Sequence, residues 1–112
     1  MGINTNIPTN QPPIDYFVIS KINDVAGMQL IDDAHSERSE VMAILTAHLL
    51  RLMNENLPKF YQFLYRIDVS ETKVRELFKR EIYVEKIAFA IASLVLQRLE
   101  EKYFTRQKYN GA

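Results

Sequence analysis

The sequence predicts an all-α fold, a small helical bundle of four to five helices with a disordered N-terminal tail, on three observations. The run from Ile87 to Leu96, IAFAIASLVL, carries one polar residue in ten. No Gly or Pro interrupts the chain from Leu77 to Tyr109. Upstream, Ser, Asn and Pro stand where helices start and stop, with apolar residues at helical spacing between them. A helix that is apolar on every side must be surrounded, by its own chain or by a partner. A membrane span needs roughly 20 apolar residues, and this run is flanked by Glu85, Lys86, Gln97 and Arg98. A buried helix is therefore expected, with no membrane as partner.

Taken in order, residues 1–13 are rich in Asn, Thr and Pro without periodicity, the pattern of a tail. Residues 14–112 then form a single helical domain. Ile14, Val18, Ile22 and Val25 fit one helical face, although Tyr16-Phe17-Val18-Ile19 is rich in strand formers. Asn23-Asp24 is a candidate hairpin turn and Gly27 weakens a helix, so helix and hairpin compete here, and helix is favoured.

Ser36 is placed to cap the next helix, with Glu37 and Glu40 in its first turn. Val41, Ile44, Leu45, His48, Leu49 and Leu52 follow at helical spacing. This helix should stop near Asn54, because Leu57 precedes Pro58 and is pushed out of the α region. Asn56 then caps a helix carrying Pro58 in its first turn and Phe60, Phe63, Leu64 and Ile67 inward. Asp68 and Glu71 have capping-box spacing and Ser70 competes as the cap, so another helix begins near Ser70. It offers Val74, Leu77, Phe78 and Ile82 to the core. No breaker separates it from the last helix, leaving one helix or two over residues 70–109. The end is expected before Gly111.

The composition excludes several classes. A chain of 112 residues with 14 basic and 14 acidic side chains is formally neutral, so a general attraction to nucleic acid or anionic lipid is not written into it. Near-neutrality favours self-association. The absence of cysteine removes disulfides, thiolate nucleophiles and zinc-thiolate sites. The first residues show neither a basic nor an apolar signal region, and Asn6 breaks the myristoylation pattern that begins at Gly2. A cytoplasmic protein is the expectation.

Asp32, Asp33, His35, Glu37 and Glu40 crowd together, but their spacing matches no known metal motif, and acids at a helix start suit the dipole. His48 lies on an apolar face with no Asp, Glu or Cys at i±3 or i±4, so a hydrogen-bonded core histidine is expected rather than a catalytic one. No nucleophile motif or phosphate loop is present. Neither an enzyme nor a cofactor is expected.

Four of the twelve aromatic residues fall at Phe60, Tyr61, Phe63 and Tyr65. Tyr61, Tyr65 and Arg66 make a candidate partner surface, because Tyr and Arg dominate binding hot spots. The same tyrosines also suit the edge of a core. Residues 57–80 read as a helix-turn-helix-like pair whose second helix carries Lys73, Arg75, Lys79 and Arg80, candidate nucleic-acid contacts. Against this, Glu71–Arg75 and Glu76–Arg80 are i,i+4 pairs typical of a solvated face. Residues 34–112 hold 13 basic against 10 acidic residues, a modest +3.

The stretch LPKFYQFLYRIDVSETKVRELF, above all LYRIDVSETKV, resembles a segment of small uncharacterised all-helical bacterial proteins. In those proteins a helix with a basic, aromatic tail like RLEEKYFTRQKY follows. The resemblance covers about Asn54 to Tyr109 and implies a bacterial cytosolic origin. It implies no activity, ligand or catalytic residue.

The reading that follows is a non-catalytic protein–protein interaction or structural module. It is expected to associate as a homodimer through Val84, Ile87, Ile91, Leu94, Val95 and Leu99, which would share core and interface. The alternative is a small nucleic-acid-binding regulator.

Overall fold

The computed structural model describes residues 13–111, with side chains through residue 106. Of the tail expected over residues 1–13, residues 1–12 lie outside the described residues, and Pro13 stands at the start of α1. Five helices follow: α1 (Ile14–Ala26), α2 (Arg38–Glu55), α3 (Leu57–Ile67), α4 (Glu71–Arg80) and α5 (Val84–Gly111). No strand occurs among the described residues.

Every other helix packs against α5, most extensively α2. Its Ile87, Ala88, Ile91, Ala92, Val95, Leu96 and Leu99 are buried, and Phe17, Ile22, Leu45, Leu49, Phe60 and Ile67 close over them. Here the apolar helix is wrapped by its own chain. Arg38 and Glu100 form an ion pair that ties the start of α2 to α5.

The helix over Ile14–Ala26 resolves the competition with a hairpin. Phe17, Val18, Ile19 and Ile22 all bury, which an alternating strand would not allow. Gly27 ends the helix at φ 71°, donating its N–H to Asn23, a left-handed stop that costs glycine nothing. Asn23 then folds the following loop back. Its side-chain amide donates to the Ile31 carbonyl (2.9 Å) and its Oδ1 accepts the Ile31 N–H (2.8 Å), which sinks Ile31 into the core.

The cap of α2 falls one residue later than expected. Glu37 is the cap, and its N–H donates to the Glu40 carboxylate at 3.0 Å. Ser36 instead donates its hydroxyl and its N–H to the Asp33 carbonyl, closing the turn before the helix. Asn56 caps α3 by accepting the Lys59 N–H, with Pro58 in the first turn.

The turn between α3 and α4 departs from the capping-box expectation. Asp68 is the left-handed end of α3 (φ 73°), and Ser70 alone caps α4 through its hydroxyl at 3.3 Å from the Lys73 nitrogen. Ile67 and Val69, on either side of Asp68, are both buried.

Residues 70–109 are two helices, not one. The Glu81 backbone is extended, and its carboxylate accepts the N–H groups of Ile82 and Tyr83, both at 3.1 Å. Ile82-Tyr83-Val84 are weak helix formers, so that local bond is enough to break the helix. Ile82 consequently leaves the core and is 84% exposed. At the other end α5 continues to Gly111 rather than stopping before it, since glycine disfavours a helical turn without forbidding it.

Candidate interaction surface

Between α3 and α4 lies an open groove of about 1010 Å³. It exists because α4 leans on α5 rather than on α3. Leu64, Val69, Val74 and Phe78 make its floor, and Tyr61 and Tyr65 its α3 wall. Tyr65 is 82% exposed, and Phe78 meets the buried Phe60 ring edge-on at 6.4 Å between centroids. The rim carries two acids, Asp68 and Glu71, and two bases, Lys59 and Arg75.

Arg98 fixes the closed end of this groove. Its Nε–H donates to the Asp68 carbonyl at 3.0 Å and its Nη2 to the Asp68 carboxylate at 2.7 Å, while Nη1 reaches Glu101 at 3.2 Å. The hydrogen bond from Arg98, reinforced by its charge, holds the Asp68 carboxyl below the usual carboxylate range. The α3–α4 turn is thereby locked onto α5.

The sequence-proposed partner surface is split by the fold. Tyr61 and Tyr65 face the α3–α4 groove, whereas Arg66 lies on the α1 side of α3, 4.0 Å from Asp24. Of the proposed dimer residues, Ile87, Ile91, Val95 and Leu99 are covered by the chain's own helices, and Val84 and Leu94 are half-buried. The large apolar side chains left facing solvent near α5 are instead Ile82, Tyr83, Phe89 and Phe104.

Lys73, Arg75, Lys79 and Arg80 are all exposed on α4. The anticipated Glu71–Arg75 and Glu76–Arg80 pairs do not come within ion-pair distance among the described residues. At helical spacing the four cations spread around the outer half of α4, with Glu76 between them.

A second concavity, of about 500 Å³, opens between α2 and α3 beside the Gly27 turn. His48 is buried at its edge, tilted against Phe63 at 5.8 Å and 3.0 Å from the Arg51 guanidinium through Nδ1. Arginine only donates, so Nδ1 accepts and the neutral ring carries its proton on Nε2. Burial, then the charges of Arg51 and Lys59, lower the His48 pKa from its usual value. The sequence signal for this contact is Arg51 at i+3 from His48, one helical turn away.

Among the described residues no three His, Asp or Glu side chains come together in a group that could hold a metal ion, those around the start of α2 included. Asp33 is engaged in its own turn, accepting the His35 N–H at 2.8 Å. No helix among the described residues is long and apolar enough to cross a membrane. Compared with known proteins, the chain matches no family model, no curated protein and no solved structure.

Proposed function

We propose that this protein is a non-catalytic helical interaction module that associates with a second copy of itself across the α3–α4 groove. The observation that carries this reading is the combination of an apolar floor with a rim of two acids and two bases. A twofold interface apposes a patch to its own copy. A rim of balanced sign can pair with itself, so that Arg75 of one copy meets Asp68 or Glu71 of the other. Tyr65, Tyr61 and Phe78 would supply the buried anchors. The neutral chain brings little repulsion to such a contact.

Sedimentation of the full chain across a range of micromolar concentrations tests this. A dimer is expected, and Tyr65→Glu should yield a folded monomer whose melting temperature no longer rises with protein concentration, because Tyr65 lies outside the core and only the contribution of association is lost. A wild-type chain that stays monomeric throughout, or a Tyr65→Glu variant that still dimerises, sinks the reading.

One observation favours a second reading, nucleic-acid binding: Lys73, Arg75, Lys79 and Arg80 form no ion pair among the described residues. It predicts binding that weakens steeply with salt and drops when Lys79 and Arg80 are neutralised. Against it, α3 does not support α4 in the way a helix-turn-helix pair requires. Absence of binding at low salt removes it.

A further inference from the structure

We propose that the cleft between α2 and α3 binds a small carboxylate with an apolar body, its charged head held by Arg51, Lys59 and Arg66. The cleft has the volume of a small-molecule site, within the roughly 300–1,000 Å³ usual for such pockets. Its composition is two-sided. Met28 and the half-buried Val25 and Ala26 supply apolar surface, while three cations and one acid, Glu55, line the polar part.

The cations are only loosely neutralised by the protein. Arg51 and Glu55 stand 4.0 Å apart, as do Arg66 and Asp24, and all four side chains remain substantially in water. Exposed pairs at that separation contribute little, of order 0–1 kcal/mol, so a ligand carboxylate can replace them at small cost. Arg51 is also pre-positioned, since its contact with His48 at 3.0 Å keeps the guanidinium over the cleft. Burial lowers the His48 pKa first, and the charges of Arg51 and Lys59 lower it further. Phosphate or sulfate would satisfy the cations but leave Met28 and Val25 uncovered. An aliphatic or aromatic acid satisfies both.

Titration of the isotopically labelled full chain, followed by amide chemical shifts, tests the proposal with hexanoate as probe. Hexanol controls for the apolar body and inorganic phosphate for the charge. The expected result is saturable movement of the Met28, His48, Arg51 and Phe63 resonances by hexanoate, with hexanol and phosphate binding at least several-fold more weakly. Arg51→Gln and Lys59→Gln should each weaken hexanoate about tenfold, the scale of one charged hydrogen bond. Lys79→Gln, on α4, should change nothing. Lys59 is exposed, so its variant remains informative even if Arg51→Gln unfolds the protein. No saturable shift, equal affinity for phosphate, or undiminished binding by Lys59→Gln would each overturn the proposal.

Discussion

Arg98 holds both the backbone and the side chain of Asp68, donating to its carbonyl at 3.0 Å and its carboxylate at 2.7 Å across 30 residues of sequence. The residue so held is in the left-handed region at φ 73°, where most side chains are strained and Asp, Asn and Gly are tolerated. One contact therefore stabilises an unfavourable backbone conformation, ends α3 and sets where α4 begins.

The rank of substitutions at Asp68 follows from separating those roles. Asp68→Asn keeps the left-handed preference and loses the charge. Asp68→Gly relieves the backbone but loses the side-chain bond, and Asp68→Ala loses the bond and adds strain. Melting temperatures should fall in the order Asp, Asn, Gly, Ala, with Arg98→Gln removing most of the difference between Asp and Asn. Asp68 also gives a pH signature. Its folded pKa lies below its unfolded value, so its contribution is present above the unfolded carboxylate pKa and fades as pH falls through the folded one. Asp68→Asn should show a shallower acid loss of stability in that range. An unchanged acid profile would mean that the pair contributes nothing.

How much of this was legible in sequence depended on whether the deciding partner was local. The α2–α3 boundary could be read because Asn56 and Pro58 act on their own backbone. The α3–α4 turn could be placed but not interpreted. Asp68 and Glu71 have capping-box spacing, and the choice between capping α4 and ending α3 is tied to Arg98, far along the chain. The break at Glu81 carried no Gly or Pro because a carboxylate reaching its neighbours' N–H groups does the work. Ile87, Ile91, Val95 and Leu99 were recognised as needing cover. Sequence could not say whether four helices of one chain suffice, since that depends on how the helices pack. The α2–α3 cleft joins residues from both helices and the Gly27 turn, a juxtaposition that only the fold creates.

The contrast between Ile91 and Ile82 tests the packing directly. Ile91 is fully buried at the centre of α5, whereas Ile82 is 84% exposed in the joint before it. Ile91→Ala should cost about 2–5 kcal/mol in denaturant unfolding, the range for deleting a large core side chain. Ile82→Ala should stay within about 0.5 kcal/mol. Comparable losses at both sites would mean that α4 and α5 are joined differently.

His48 makes acid stability a second reporter. It faces Arg51 and Glu55 on its own helix and Lys59, Phe63 and Arg66 on α3. Its folded pKa is depressed by burial first and by the cations second. For a base the sign is that the unfolded chain takes up the proton first. The contribution is complete above the unfolded histidine pKa of about 6.5 and is lost as pH falls from there toward the folded value. Wild-type melting temperature should therefore decline from neutral toward mildly acid pH. His48→Asn, which retains an acceptor near the Nδ1 position, should flatten that decline. Equal slopes for the two proteins would contradict the buried neutral ring.

Thr46 offers a stabilising substitution. Its hydroxyl is buried in α2 with no hydrogen-bond partner among the described residues. A hydroxyl removed from water without a new bond costs about 1–3 kcal/mol, and Thr46→Val removes that group while keeping the branched shape and much the same helix propensity. The expected gain is about 1 kcal/mol, a rise of about 4–8 °C in melting temperature for a small domain. Thr46→Ser is the control, because it keeps the unsatisfied hydroxyl and deletes only the methyl group, so it should be less stable than wild type. If valine destabilises and serine is neutral, the hydroxyl has a partner in solution, most simply a bound water, and the core around α2 is wetter than its packing shows.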